Sequence, residues 1–257
     1  MRILALNNPF GAPIYHEETV ASTMDSARIL AAQNEVHGTI ICADFQEAGK
    51  GRLNRSWVMD RGKNLIFTIL LRYGEFSSIV EALTLKAGLA VSLAVEDLYP
   101  ALSGLVRVKW PNDIMIGSRK AAGILTEGDG KNVFIGVGVN IGQREFPEEY
   151  RGKAVSIVQA LPEGSRGPGE DSGFALLEKI LSRLYEEIEK PNEDWRERLL
   201  SRLYKNGENV CFAEGSADSG RLIEGTISGI GPGGELLIIP KGERKARALI
   251  TGELKVY

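Results

Sequence analysis

A short basic segment carries the first residues able to do chemistry. Residues 49–55 read Gly-Lys-Gly-Arg-Leu-Asn-Arg, and the surrounding interval 46–63 lacks apolar periodicity and holds five basic residues against two acidic ones. Glycines let a backbone approach an anion closely, and lysine and arginine neutralise phosphate charge. The segment is therefore a candidate polyphosphate site, although a solvated loop can have the same composition.

A second group of polar residues is Lys109-Trp110-Pro111-Asn112-Asp113. It follows the apolar run 105–110, so it is expected at the end of a strand, where binding residues are often found. Asn112 and Asp113 offer the hard oxygen ligands that suit Mg²⁺. An Asn-Asp turn after a proline is the alternative interpretation.

Two further segments place unusual residues in predicted strands. Lys120 precedes the apolar stretch 121–125, and a lysine there must either extend to solvent or meet an anion. In the stretch 136–140, Gly-Val-Gly-Val-Asn, both glycines lie on one face of the strand. We therefore expect another group, or another backbone, to pack against that face.

Several familiar site motifs are not supported. Gly229, Gly231 and Gly234 match a dinucleotide fingerprint, but Pro232 and flanking strand patterns leave no helix to receive a pyrophosphate, so a β-turn is expected. The sequence contains no GxxxxGK[ST] motif of P-loop NTPases. Its two histidines lack partners at ligand spacing, which argues against a zinc site or a Ser-His-Asp triad.

Periodicity and turn residues predict the elements that must position these groups. A helix is expected from residue 22, with Ser22 or Thr23 as its N-cap and Asp25 in its first turn. Further helices are predicted over 81–98, over 174–188 and from Trp195 onward. The predicted strands are 38–46, 64–72, 105–110, a hairpin that turns at Gly117-Ser118, and 132–142.

After Asn206 the pattern changes to short strands separated by glycine turns, at 208–212, 221–230, 235–240 and 247–257. We therefore predict two domains, residues 1–206 and 207–257. The first is expected to be an α+β domain with a mixed sheet. The second is too short for a large core and is expected to be a small β-barrel docked on the first.

Composition excludes some classes of protein. The chain has 257 residues and a formal charge of −3. General nucleic-acid binders usually carry an excess of basic residues, so this class of protein is not expected. Cys42 and Cys211 are far apart among apolar residues, which favours a reducing compartment over a disulfide framework. No signal peptide and no membrane-spanning run is predicted, so a cytoplasmic protein is expected.

Taken in order, these segments resemble the catalytic domain of the biotin–protein ligases. The family pattern consists of a Ser-Thr-Asn start, a GRGR-x-x-R-x-W loop, KWPND, a lysine before a Gly-Ile-Leu strand, and a GxGxN strand. The matching residues here are Ser22-Thr23-Met24, 49–57, 109–113, 120–125 and 136–140. Each match is weak alone, but five in order within one domain are specific.

The chain departs from this pattern in three places. Met24 replaces the usual asparagine, which puts a polar role there in doubt. Lys50 replaces an arginine, so a compact ammonium stands where the family has a planar guanidinium that can make two parallel hydrogen bonds. About twenty residues precede Ser22, too few for the DNA-binding domain of some members, so a ligase without a repressor function is expected.

The resemblance implies a class II aminoacyl-tRNA-synthetase-like catalytic domain with a C-terminal SH3-like domain, and it implies roles for single residues. The residues implied to bind biotin are Ser22, Thr23, Gln46, Lys50, Arg52 and Lys120. Those implied to bind the nucleotide are Arg52, Arg55, Trp57 and Asn140. Arg52 and Lys120 would be catalytic, and Asn112 and Asp113 would lie near Mg²⁺.

The activity implied is formation of biotinyl-5′-AMP from biotin and ATP, followed by transfer of biotin to a lysine of a biotin carboxyl carrier protein. ATP, Mg²⁺ and biotin would be used without a tightly bound prosthetic group, and neither DNA nor a membrane would be a partner. A homodimer is a further implication. The alternatives are a lipoate–protein ligase, which lacks KWPND, and a regulator that senses biotinyl-AMP without transferring it.

Overall fold

The computed structural model describes residues 1–75, 80–169, 171–190, 194–215 and 220–255. Its strands are β1 (Arg2–Ile3), β2 (Ile14–Glu17), β3 (Thr39–Ala43), β4 (Asn64–Arg72), β5 (Val106–Lys109), β6 (Asp113–Ile116), β7 (Arg119–Gly128), β8 (Asn132–Asn140), β9 (Asn209–Glu214), β10 (Arg221–Ile230), β11 (Leu236–Pro240), β12 (Arg247–Leu249) and β13 (Gly252–Lys255). Its α-helices are α1 (Thr23–Ala32), α2 (Leu83–Leu98), α3 (Ile157–Ala160), α4 (Ser172–Glu189) and α5 (Trp195–Leu200).

The first eight strands form one sheet in the order β1-β2-β3-β4-β8-β7-β6-β5. Strands β2 and β3 run parallel, and the other neighbours in this sheet are antiparallel. The prediction of an α+β fold with a mixed sheet is therefore confirmed. The hairpin predicted at Gly117-Ser118 is also present, because β6 ends at Ile116 and β7 begins at Arg119.

Strand β4 is covered on both faces, and its alternation shows how the molecule is layered. Leu65, Phe67, Ile69 and Leu71 face the large core with α2 and α4. The intervening residues face the other side, where Leu70 packs with α1 and Ile66 packs beneath the basic loop. The functional residues discussed below lie on this second face.

The helices follow from local sequence signals. Ser22 is the N-cap of α1, and its hydroxyl accepts a hydrogen bond from the Met24 amide at 3.2 Å. Helix α2 is apolar nearly all round because it lies between the sheet and α4. Helix α4 ends at Glu189, before Pro191, which lies outside the described residues. The four-residue helix α3 was not predicted.

Residues 209–255 form a second, five-stranded antiparallel sheet in the order β12-β11-β10-β9-β13. Glycine-rich residues 231–234 form the turn between β10 and β11, as expected for the false fingerprint. The prediction of one continuous strand over 247–257 was wrong. The chain turns at Ile250-Thr251, so β12 pairs with β11 whereas β13 crosses to β9.

Trp110 attaches the second sheet to the first. Its buried indole N–H donates to the carbonyl of Gly234 at 2.9 Å, and its ring lies 5.7 Å from that of Phe212 in β9. The division at Asn206 stays a prediction, but this contact shows that the two sheets share part of one core. Among the described residues, no helix is long and apolar enough to cross a membrane.

Trp110→Phe should loosen this attachment, because it removes the donor to Gly234 and part of the buried ring. We expect the free energy of unfolding to fall by about 1–3 kcal/mol, the usual cost of leaving a buried polar group unpaired. Urea denaturation checks the size, and limited proteolysis near residue 207 checks the location. Trp195→Phe is the control, and equal exposure of that junction in both variants would contradict the role given to Trp110.

Candidate active site

A cavity of about 510 Å³ opens on the α1 face of the main sheet. Its walls are the start of α1, the basic loop (residues 46–63), the turn at 109–113 and strands β7 and β8. Strand β13 of the second sheet and residues 146–154 complete the rim. All eleven residues predicted as site residues line it: Ser22, Thr23, Gln46, Lys50, Arg52, Arg55, Trp57, Asn112, Asp113, Lys120 and Asn140.

One end of the cavity is polar and uncharged. The side-chain oxygen of Gln46 accepts from the backbone N–H of Thr23 at 2.7 Å and from its hydroxyl at 2.9 Å. Thr68 in β4 in turn donates to the Thr23 hydroxyl at 2.9 Å. Since Ser22 and Thr23 are also buried at the start of α1, these groups have fixed positions. Such an array suits a neutral polar ligand that both donates and accepts hydrogen bonds.

The middle of the cavity is charged. Asp113 binds the ammonium of Lys120 at 2.6 Å and lies 3.9 Å from that of Lys109. Burial lowers the pKa of Lys109, and the carboxylates of Asp113 and Glu253 oppose that shift. Lys120 therefore meets an anion, one of the two outcomes that its position in an apolar strand predicted.

Two arginines of the basic loop reach the same region. Arg52 donates to the side-chain oxygen of Asn112 at 3.2 Å, and Asn112 itself donates to the Ile124 carbonyl at 2.7 Å. Arg55 contacts both carboxylate oxygens of Glu253 in β13, at 3.0 and 2.8 Å. The hydrogen bond from Arg55 lowers the pKa of Glu253 although burial opposes it, and the charges of Arg55, Lys109 and Arg52 add to the decrease.

The floor beside these charges is made of glycine. A side-chain carbon on Gly138 would lie 2.6 Å from the Trp57 indole, and one on Gly123 would lie 3.1 Å from it. A side-chain carbon on Gly136 would lie 3.1 Å from Met24. The prediction that a group packs against the two glycines of β8 is confirmed, and the packing groups are Trp57 and Met24. Met24 is buried, so its side chain fills apolar space there.

Two buried polar atoms near this floor have no hydrogen-bond partner within the part of the chain that the structure describes: the Trp57 indole nitrogen and the Asn140 side-chain oxygen. The Asn140 nitrogen donates to the Val155 carbonyl at 3.3 Å, which fixes the amide plane. A buried unpaired donor and acceptor are costly, and in a cavity wall they indicate a polar ligand.

The residues predicted near Mg²⁺ do not present a free set of ligands here. The oxygen of Asn112 is bound by Arg52, and the carboxylate of Asp113 faces two lysines. Within the described residues, no three His, Cys, Asp or Glu side chains are grouped as metal ligands. The metal prediction is untested, and no step below depends on a metal held by these residues.

Comparison with known proteins agrees with this geometry. The family model described as Biotin/lipoate A/B protein ligase family matches residues 18–141. Over residues 18–141 the chain is similar to the biotin/lipoate A/B protein ligase family. The matched segment extends from the strand before α1 to the end of β8, so it contains the polar end, the charged middle and the glycine floor.

Two curated relatives are ligases. The bifunctional ligase/repressor BirA of Bacillus spizizenii is 35% identical over 161 residues, which cover 60% of this chain and 48% of that protein. A biotin–[acetyl-CoA-carboxylase] ligase of Mycobacterium tuberculosis is 33% identical over 187 residues, covering 70% of this chain and 63% of that protein. The chain thus spans about half the length of the BirA relatives that it matches.

A solved structure extends the likeness beyond residues 18–141. The biotin protein ligase of Aquifex aeolicus, in complex with biotin and ATP, superposes with a TM-score of 0.76 at 27% identity. The match covers 94% of this chain and 97% of that one, so it includes the second sheet.

Three residues that line the cavity were not predicted as site residues. Lys109 and Trp110 belong to the KWPND motif, but the pattern alone did not show that one supplies a buried charge and the other an attachment to the second sheet. Glu253 lies in the C-terminal strand, 198 positions from Arg55. No local sequence signal marks it. Lys50 lines the rim and pairs with Asp25 at 3.3 Å.

Gly138→Ala should push the Trp57 indole off the floor of the cavity. We expect the free energy of unfolding to fall by about 1–3 kcal/mol, the usual cost of overpacking a filled site. Gly142→Ala is a matched control, because its new carbon would meet neighbours at an ordinary 3.7 Å. Chemical denaturation compares them, and equal stability of the two variants would show that Trp57 does not rest on Gly138 in solution.

Proposed function

We propose that this protein is a biotin–protein ligase that forms biotinyl-5′-AMP and transfers biotin to a lysine of a carrier protein. The observation that carries the proposal is one cavity whose wall combines three kinds of surface. These are a neutral polar array, a cluster of four basic side chains, and an indole together with an unpaired amide oxygen. Biotin, phosphate and adenine have chemistry that matches these three surfaces.

The polar end suits the ureido ring of biotin. Ser22, Thr23 and Gln46 are held by α1 and by each other, so they can meet the ring without reorganising. Met24 has no polar group for this ring, but its thioether fills space against Gly136 and suits the apolar part of biotin.

The charged middle suits the first half-reaction. The carboxylate of biotin attacks the α-phosphorus of ATP, forming a carbon–oxygen–phosphorus bridge while pyrophosphate leaves with the electron pair. Both reactants are anionic, and the Mg²⁺ that accompanies ATP arrives as part of the substrate. Arg52 and Lys120 would hold the carboxylate and the α-phosphate together and stabilise the charge that grows on the phosphoryl oxygens.

The far end suits the nucleotide. The Asn140 oxygen can accept a hydrogen bond from the exocyclic amine of adenine. The indole of Trp57 offers a face for stacking, and Arg55 lies at the mouth where the phosphates would extend. Lys50 faces Asp25 at the rim, so we assign it a weaker electrostatic role toward biotin.

In the second half-reaction, a neutral lysine amine of the carrier attacks the acyl carbon of biotinyl-AMP. The carbon–nitrogen bond forms, the nitrogen loses a proton, and AMP leaves with the electrons of the acyl–oxygen bond. The same cations stabilise the departing phosphate. We propose that the acceptor is the carrier domain of a biotin-dependent carboxylase, and that the second sheet is an SH3-like domain bordering the site.

Incubating the protein with ATP, Mg²⁺, a biotin carboxyl carrier domain and either labelled biotin or labelled lipoate tests the function. Label from biotin on the carrier lysine is expected. Transfer of lipoate alone would favour the lipoate ligase alternative, to which the family name also extends. Formation of biotinyl-AMP without any transfer would favour a regulator that only senses the adenylate.

Lys120→Ala should lower the rate of biotinyl-AMP formation by about a hundredfold or more, the usual cost of losing one group that stabilises transition-state charge. Release of pyrophosphate measures the rate. Lys179→Ala, on the exposed face of α4, is the control and should keep the parent rate. A Lys120→Ala protein that folds normally and adenylates biotin at the parent rate would remove Lys120 from the mechanism.

A further inference from the structure

The basic loop is fastened to three different elements by side chains from its central residues 50–55. Lys50 pairs with Asp25 of α1, Arg52 with Asn112 of the 109–113 turn, and Arg55 with Glu253 of β13. The first two contacts lie within residues 18–141, whereas the third joins the loop to the second sheet. We propose that Glu253 is a positioning residue that holds Arg55 across the cavity mouth and so keeps the loop closed over biotinyl-AMP between the two half-reactions.

The proposal rests on the proposed function, and its first support is the geometry of this ion pair. Each terminal nitrogen of Arg55 donates to a different oxygen of Glu253, a bidentate arrangement that fixes direction as well as distance. The Glu253 side chain is only 24% exposed, whereas that of Arg55 is 54% exposed. By contrast, the Lys50–Asp25 pair is a single contact between side chains that are 54% and 47% exposed, and such pairs contribute little.

The second support is the way β13 holds the carboxylate. Leu254, the next residue, is buried in the shared core, and Glu253 pairs with Ala213 of β9. Strand alternation therefore places the Glu253 side chain on the face opposite that of Leu254. Glu253 lines the cavity together with its neighbours Leu254 and Lys255. A loop side chain bound to this position is held by a packed sheet and not by another mobile segment.

The third support is that the pair is compatible with a bound phosphate. A guanidinium has five N–H donors, and the bidentate contact with Glu253 uses one on each terminal nitrogen, so it does not by itself exclude a contact with phosphate. Lys109, Lys120, Arg52 and Arg55 face the carboxylates of Asp113 and Glu253, which leaves this group of six with an excess of positive charge. An adenylate can therefore enter without displacing Glu253.

Closure matters because biotinyl-AMP is a mixed anhydride that water hydrolyses and any exposed amine can attack. A lid that stays shut until the carrier arrives limits both losses. If the second sheet supplies the anchor, then retention of the intermediate depends on a residue that takes no part in forming it.

The test compares the parent protein, Glu253→Gln and Glu253→Asp in the presence of labelled biotin, ATP, Mg²⁺ and bystander albumin. The quantity measured is label on albumin per biotinyl-AMP formed, so a change in adenylation rate alone does not alter it. We expect about a fivefold rise for Glu253→Gln, as for the loss of one partly exposed ion pair worth roughly 1 kcal/mol. Glu253→Asp should restore part of the retention.

Two controls separate an action through Arg55 from a general loosening of the sheet. Glu224→Gln removes another ion pair of the second sheet, with Lys241 at 3.6 Å, and should leave the ratio unchanged. In an Arg55→Ala background, Glu253→Gln should add no further release, because the contact is already lost. Trypsin should also cleave the loop of the empty Glu253→Gln protein faster than that of the parent.

A parent-like ratio for Glu253→Gln would overturn the proposal, and so would an equal rise in the Arg55→Ala background. If the parent protein itself formed no biotinyl-AMP, the proposed function would fail and this inference with it. Failure of this inference can be told apart from failure of the proposed function, because the first two results can be seen only when the parent protein forms biotinyl-AMP.

Discussion

The ion pairing of Asp113 with two lysines is the interaction on which the rest of the site depends. Lys109 is buried, and a buried ammonium without a counter-charge would cost several kcal/mol. Asp113 compensates that charge and at the same time fixes Lys120 at the cavity. The turn that carries Asp113 also holds Trp110, which attaches the second sheet, and Asn112, which holds Arg52. One short turn thereby sets the positions of a strand, a loop and a domain.

The glycines of β8 are the second constraint on the site, because the floor of the cavity must let an indole and a thioether approach the backbone of β8. Side chains at Gly136 or Gly138 would occupy the volume that Met24 and Trp57 use. Met24 therefore has a packing role whether or not the position contacts a ligand. The Trp57 nitrogen and the Asn140 oxygen are buried and unpaired within the described residues, and a bound ligand that supplied partners would offset that cost.

The sequence allowed most of the main sheet and the glycine face to be predicted, because apolar alternation and N-cap residues act locally. The start of α1 at Ser22 and the hairpin at Gly117-Ser118 are examples. The break at Ile250-Thr251 was missed because apolar residues continue across it, and only pairing with different neighbours separates β12 from β13. Glu253 could not be found for the same reason: its partner is set by the docking of two sheets, which no local pattern encodes.

The two sheets contribute different interactions to the binding of a reactive anion. The main sheet supplies charges that are already paired, so binding exchanges internal carboxylate contacts for substrate contacts and requires little rearrangement. The basic loop cannot be anchored in this way along its whole length, because its glycines leave the backbone free to open. An anchor on the second sheet solves this problem, since a carboxylate on a packed strand restrains the loop without adding a rigid residue to it. Formation of the intermediate and its retention can then be set by different residues, on different sheets.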